Sequence, residues 1–291
     1  MTVATATPVC VACEGPLDAV DRRFPGGRAE AGGEVHTCQQ CGTAQVMPRP
    51  TTAEIAAIYS EEYFSSYIHG PGVKGGIEDL TPGLKARLAE AARRLGARGK
   101  LVDVGCAYGL LVAYARDQGW DAIGVEPSRW AAEEGRRRFG VTIHQCELTS
   151  APIPAGSVDV VHANHVLEHL LEPAPAVRAA ARLLRPGGWL VVEVPQELRR
   201  PLSDRFFGAL HPELFPLRPP DPTHLEFFTP AGLRALATGA GLEMESVRTV
   251  RHQPNLASRL PLGRQFKAAV VALEEAAQTA PDLVLWARKP R

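Results

Sequence analysis

No excess of charge of either sign marks this chain: 32 Lys and Arg stand against 32 Asp and Glu, for a formal net charge of zero. Binding nucleic acid through its phosphates ordinarily needs a basic surplus, so the composition argues against nucleic acid as the principal partner. The densest basic run, Arg136–Arg138, falls in a predicted helix and reads as a solvated face. Aromatic residues are scarce at 6%, and they are not interleaved with Arg or Lys as in single-strand binders. Long apolar runs of bilayer-spanning length are missing. Met1 to Pro8 lacks both the charged start and the apolar stretch of an export signal, so the expected location is the cytoplasm. In that reducing compartment the six cysteines read as metal ligands, core residues or catalytic groups, not as disulfides.

Four of those cysteines have a pattern. Residues 1–50 are glycine-bearing with little periodic apolar content, which predicts a loop-like segment in need of a staple. Cys10-Val-Ala-Cys13 and Cys38-Gln-Gln-Cys41, separated by 24 residues, place four thiolates where a tetrahedral structural zinc collects them. The expectation is a small zinc ribbon over 1–50 with His36 outside the ligand set. Residues 51–98 read as a helical lid or linker. Ile55, Ile58 and Tyr59 fall at helical spacing, and Tyr63, Phe64 and Tyr67 follow; a packing helix and an aromatic lid over a ligand fit this equally. Gly70 to Gly76 suggests a mobile connector. A stronger helix opens at Thr81-Pro82, with Leu84, Leu88 and Leu95 on one face.

From Lys100 strands and helices alternate, the mark of an α/β fold with a parallel sheet and helices on both faces. Strands are expected at Leu101–Val104, Ala122–Val125, Val141–Gln145, Val158–Ala163, Trp189–Val194, 242–250 and 282–288. The main domain is taken as 99–291. Its segment 196–228 reads as a long irregular loop, a length that in a compact domain is usually functional. An amphipathic helix within 251–281 carries Phe266, Val270 and Leu273 on one face.

The informative stretch is Leu101-Val-Asp-Val-Gly-Cys-Ala-Tyr-Gly109. A glycine turn between first strand and first helix lets a ligand approach the backbone at the carboxyl end of the sheet. It is not a dinucleotide fingerprint, because Leu110 stands where the third glycine belongs, and no G-K-[ST] follows for a phosphate loop. Asp103-x-Gly105-x-Ala107-x-Gly109 resembles the first motif of the class I S-adenosylmethionine-dependent methyltransferases. That resemblance implies a Rossmann-like seven-stranded sheet whose last strand, Asp282–Arg288, runs antiparallel. It also implies S-adenosylmethionine as cofactor. Glu126 corresponds to the acid on the ribose hydroxyls, Glu147 and Leu148 to the adenine contacts, and Asn164 to the contact with the methionine portion. Asp103, Gly105, Cys106 and Gly109 form the turn. Leu184-Arg-Pro-Gly-Gly188 is similar to the family's turn before the fifth strand. The cysteine module followed by Met47-Pro-Arg-Pro, Ile58-Tyr-Ser and Tyr63-Phe64 resembles a bacterial subgroup that modifies sugars and secondary metabolites.

Methyl transfer needs an aligned nucleophile in a dry site, and a base helps where the nucleophile carries a proton. His224, in Pro-Thr-His-Leu-Glu-Phe-Phe, is the first candidate, because in similar methyltransferases that loop borders the acceptor pocket. His165 is the rival, with His169 beside it and His211 as a further candidate. His165-x-x-Glu168-His169 resembles an E-x-x-E-H metal arrangement of certain quinone-precursor O-methyltransferases; His replaces the first acid here, so the segment reads as a structural anchor. The expected function is methylation of an oxygen, nitrogen or carbon of a small biosynthetic intermediate. The alternatives are an RNA or protein methyltransferase that reads its substrate through the zinc ribbon, and a non-catalytic cofactor-binding scaffold. Oligomeric state is left open by the sequence.

Overall fold

The computed structural model describes residues 8–20, 33–69, 76–210, 221, 223–251 and 264–291. His211 and most of the expected connector at 70–76 lie outside them.

Residues expected to be loop-like form three strands instead, β1 (Leu17–Val20), β2 (Glu34–Cys38) and β3 (Ala44–Met47). Each mixes polar with apolar residues in a glycine-bearing stretch, yet Val35, Ala44 and Val46 are buried together with Phe227. Two helices follow, α1 (Thr52–Ile58) and α2 (Glu61–His69). The first is closed by a capping box, in which the Glu54 amide donates to the Thr51 hydroxyl at 3.3 Å and the Thr51 amide to the Glu54 carboxylate at 2.7 Å. Helix α3 (Pro82–Leu95) is capped by the Thr81 side chain and ends at Gly96 in the left-handed region.

The main sheet is built from β4 (Lys100–Val104), β5 (Asp121–Val125), β6 (Thr142–His144), β7 (Val158–Asn164), β8 (Leu184–Pro195), β10 (Glu243–Val250) and β11 (Asp282–Arg288). Their order is β10-β11-β8-β7-β4-β5-β6. The five strands from β8 to β6 run parallel, and β11 and β10 add antiparallel at the β8 edge. The expected seven-stranded Rossmann-like sheet is therefore present, antiparallel last strand included. Its helices α4 (Leu110–Asp117), α5 (Arg129–Phe139), α6 (Pro173–Leu183) and α8 (Pro230–Gly239) cover both faces. Along β8 the pleat sends Trp189 and Val191 to the α3 face, with Leu88 and Ala91. Leu190, Val192 and Val194 go to the opposite face with α6 and α8.

Segment 196–228 is less irregular than its composition suggests. It holds α7 (Leu202–Leu210) and the two-residue strand β9 (Glu226–Phe227), which pairs antiparallel with β3. The resulting four-stranded sheet, β1-β2-β3-β9, joins the cysteine-bearing N-terminus to this distant loop. Gly232 on α8 is required there: a Cβ on it would lie 1.9 Å from the Thr43 hydroxyl.

The last helix, α9 (Arg264–Ala276), faces the other way from expectation. Phe266 and Leu273 are exposed at 50% and 60%, whereas Glu274 is fully buried. The burial is satisfied chemically. Arg251 donates to Glu274 at 2.6 and 3.2 Å, and Ser203 donates through its amide at 2.9 Å and its hydroxyl at 2.5 Å. A buried carboxylate with four donors ties α7, α9 and the end of β10 together more selectively than the apolar stripe would. Among the described residues no helix is long and apolar enough to cross a membrane.

Glu274→Ala should leave the buried Arg251 guanidinium with only the more distant Asp204 carboxylate, 3.9 Å away, and destabilise the protein by on the order of 3 kcal/mol. Leu273→Ser, on the exposed side of the same helix, should change stability by less than about 0.5 kcal/mol. Thermal melts of the two variants check this pair; equal losses would contradict the orientation of α9.

Candidate active site

The carboxyl ends of β4, β5 and β7 lie side by side where the strand order reverses, the place at which an open α/β sheet leaves a crevice. After β4 the chain turns through Gly105 (φ +61°), Ala107 (φ +47°) and Gly109 (φ +75°). The Gly105 and Cys106 amides donate to the Val125 carbonyl at 2.8 and 3.3 Å, which ties the turn to the end of β5. Glu126 follows immediately. Its carboxylate accepts from the Ala107 amide at 3.0 Å and from the Ser128 amide at 2.9 Å, bridging the glycine turn and the start of α5. Burial pushes the Glu126 carboxyl up to about 6, against these two amides and with the charges of Glu147 and Asp103 adding to the rise.

Glu147 precedes the 3-10 turn Leu148–Ser150 beyond β6, and Leu148 is buried. Asn164 closes β7 opposite Glu193 of β8. Asp103 is buried and its carboxylate lies 2.8 Å from Nδ1 of His162, its register neighbour on β7. Cys106 presents only its backbone to the turn; its thiol is buried against Val112, Ala132 and Ile143, and a Cβ on Gly124 would come within 2.4 Å of the sulfur. Of the expected cofactor residues, Asp103, Gly105 and Gly109 stand at the end of β4, Glu126 follows β5 and Asn164 ends β7, with Glu147 and Leu148 beyond β6.

The segment after β7 lies directly on the turn. A Cβ on Gly105 would stand 2.6 Å from a methyl of Val166, so only glycine admits this approach. His165, held at φ +51°, places Nδ1 3.1 Å from Glu168, and His169 places Nε2 3.9 Å from the same carboxylate. Glu168 is fully buried. The His169 and His224 rings meet edge-on with centroids 4.8 Å apart, and Tyr59 meets His169 likewise at 5.8 Å. Tyr63 and Phe64 extend this aromatic row through 5.2 Å contacts; the side chain of Tyr67 lies outside the described residues.

His224 Nδ1 is 2.7 Å from the Glu197 carboxylate. Burial works against a charge on His224, but the Glu197 carboxylate, aided by Glu168 and Asp221, outweighs it and holds the imidazole above its ordinary value. His165 is raised in the same way: Glu168 overrides the effect of burial. For His169 burial prevails, and its imidazole is held below the usual range.

A family model described as a methyltransferase domain matches residues 77–247, the span that contains this crevice. The chain is a member of the class I S-adenosylmethionine-dependent methyltransferases. The ubiquinone biosynthesis O-methyltransferase of Methylococcus capsulatus is 30% identical over 179 residues, covering 59% of this chain and 74% of that relative. The enzyme of the same description from Thiobacillus denitrificans is 30% identical over 187 residues, covering 61% and 78%. Among solved structures, a methyltransferase from Archaeoglobus fulgidus superposes with a TM-score of 0.53 at 16% identity, over 79% of this chain and all of that one. One from Mesorhizobium loti gives 0.51 at 18% identity, over 74% of this chain and all of that one. At these identities the superpositions speak for the fold alone.

Three polar residues of this methyltransferase escape sequence reasoning: His162, Glu197 and Arg49. His162 is an interior position of an apolar strand, and only the β4–β7 register sets it against Asp103. Glu197 lies 27 residues from His224, with no spacing rule to connect them.

A separate cluster is formed by the four thiols. Cys10 and Cys41 sulfurs are 3.6 Å apart, Cys13 and Cys38 sulfurs 3.5 Å. One sulfur from each of the four lies within 4.8 Å of every other. Backbone amides of Ala12 and Gln40 donate to Cys10 and Cys38 at 3.4 Å, an arrangement that favours thiolate charge.

Proposed function

We propose that this methyltransferase binds S-adenosylmethionine across the glycine turn and transfers its methyl group to a hydroxyl of a small molecule, with His224 as the base. One observation carries the reading. The segment Asn164–His169 touches the glycine turn at Val166 and the His224 ring at His169, so the cofactor motif and the candidate base border one crevice.

On the cofactor side the residues present fit the group. Gly105 and Gly109 keep the turn free of side chains, Glu126 offers a paired acceptor for two vicinal hydroxyls, and Glu147 with Leu148 lines the base-binding side. The cofactor, when bound, supplies a methyl group already activated on a sulfonium. What remains for the chain is alignment, exclusion of water and removal of a proton. His224 suits the last task. Its Nδ1 is engaged with Glu197, which fixes the ring and leaves Nε2 for an acceptor hydroxyl, and the carboxylate stabilises the imidazolium that forms. Tyr59, Tyr63 and Phe64 lie along the same side as an aromatic wall. The relatives' description as O-methyltransferases favours oxygen over nitrogen or carbon as the methylated atom. His165 has a comparable carboxylate on Nδ1, Glu168, but its side chain is 41% exposed against 12% for His224, so water competes more with an acceptor there.

The same reading assigns Cys10, Cys13, Cys38 and Cys41 to a structural zinc, supported by four mutually close sulfurs with amide donors. The expected metal content is one zinc per chain by elemental analysis of the purified protein, lost in Cys38→Ser; a metal-free, fully folded wild type would exclude it.

Calorimetry with S-adenosylhomocysteine tests the cofactor side. Glu126→Ala should weaken binding at least about tenfold, a loss of roughly 1.4 kcal/mol. The pH dependence has a definite sign. Hydroxyl donors require the ionised carboxylate, and burial raises the Glu126 carboxyl to about 6. Affinity should therefore climb as pH rises through about 6, then level off. A flat profile from acid to neutral pH, or unchanged affinity in the variant, would remove Glu126 from the site.

A further inference from the structure

Neither half of the crevice uses Arg49, which follows β3 in the Met-Pro-Arg-Pro stretch. Its guanidinium is nevertheless placed between both histidine-bearing segments. Nη2 donates to the Leu171 carbonyl at 2.6 Å and the Leu170 carbonyl at 3.2 Å, the residues that immediately follow Glu168 and His169. Nη1 reaches the Leu225 carbonyl at 3.5 Å, and Nη2 lies 2.5 Å from the Glu226 carboxylate; these two residues immediately follow His224. The Glu226 side chain is fully buried and that of Arg49 is 21% exposed, so water competes weakly for the contacts.

We propose that Arg49 is a positioning residue of the acceptor side, one planar cation that holds the His169 and His224 segments in fixed register. Guanidinium suits this because its five donors diverge in a rigid plane and reach carbonyls on two segments together, whereas an ammonium concentrates three donors on one atom. The need for such a clamp is visible in the chain itself. Strand β9 has two residues, far too few to hold a segment by pairing alone. The other ties are single hydrogen bonds: the Leu225 amide to the Glu168 carbonyl at 2.7 Å, and the Val46 amide to the Leu225 carbonyl at 3.0 Å. His169 adds a third, its Nδ1 standing 3.3 Å from the Thr223 carbonyl. A carbonyl only accepts, so that contact fixes the proton on Nδ1. Displacing either segment breaks the contact and separates the two rings. Burial pushes the Glu226 carboxyl up to about 8, and the Arg49 charge pulls it back only in part, so the backbone carbonyls are the clamp's main acceptors near neutral pH.

The inference rests on the reading of His224 as base for its functional meaning, but its test does not. The full-length protein, labelled with 15N-histidine and saturated with S-adenosylhomocysteine, is compared by long-range 1H–15N spectra with two variants. Arg49→Met/Glu226→Gln removes the guanidinium and its carboxyl neighbour together. Arg49→Lys keeps the charge and loses the fork. In both, the affinity for S-adenosylhomocysteine should stay within about twofold of wild type, well under 1 kcal/mol. The ring signals of His169 and His224 should shift or broaden, while those of His144 and His162, on β6 and β7, stay in place. Superimposable His169 and His224 signals in either variant would overturn the proposal. Loss of cofactor binding in both would also overturn it, because Arg49 would then serve the whole fold. A wrong assignment of the base shows elsewhere: His224→Asn would retain turnover on any acceptor found by a labelled-methyl screen, with these spectra unaffected.

Discussion

Val166 occupies the space that Gly105 leaves open, and the rest of the site follows from that approach. With any side chain at position 105 the segment after β7 would be pushed off the turn, because the nearest Val166 methyl would stand 2.6 Å from the new carbon. The left-handed φ of +61° at Gly105 adds a conformational reason for the same residue. Once the segment is seated, its two ends serve different purposes. Asn164 borders the crevice beside the glycine turn, and His169 reaches across to the loop that carries His224. In our proposal, cofactor side and acceptor side are thus joined by six consecutive residues.

The second organising feature is the fusion of the N-terminus with that loop. A cysteine cluster at the start of a chain reads as an appendage, and its four sulfurs do form a compact knot. Yet β3 pairs with β9, the Thr229 hydroxyl donates to the Cys41 carbonyl at 2.6 Å, and Gly232 lets α8 press against Thr43. In our proposal the metal that closes the cysteine knot therefore also stiffens the strand to which the His224 segment is hydrogen-bonded. Arg49 extends the same tie to the Glu168–His169 segment.

What could be read from the sequence was local. Gly105 and Gly109 and each C-x-x-C pair fall at short, fixed spacings, Glu126 stood out through the family resemblance, and the strands of the main sheet alternate with helical segments, the three-residue β6 included. What could not be read depended on pairings between distant residues. Asp103 meets His162 only through strand register, and His224 meets Glu197 only because the chain folds back across the crevice. The three N-terminal strands mix polar and apolar residues among glycines and do not alternate with helices, so no pattern marked them. Helix α9 misled for a different reason: its apolar stripe, Phe266 and Leu273, predicts packing, but a buried Glu274 with four donors decided which side turned inward. Pattern alone assigns no value to a satisfied buried charge.

The most direct test of the account is a crystal structure of the zinc-loaded protein with S-adenosylhomocysteine. The account predicts the ribose hydroxyls on the Glu126 carboxylate, with the sulfur in the crevice between the 105–109 turn and the 164–169 segment, facing His224. A cofactor bound away from Glu126, or a His224 walled off from the sulfur by protein, would contradict it.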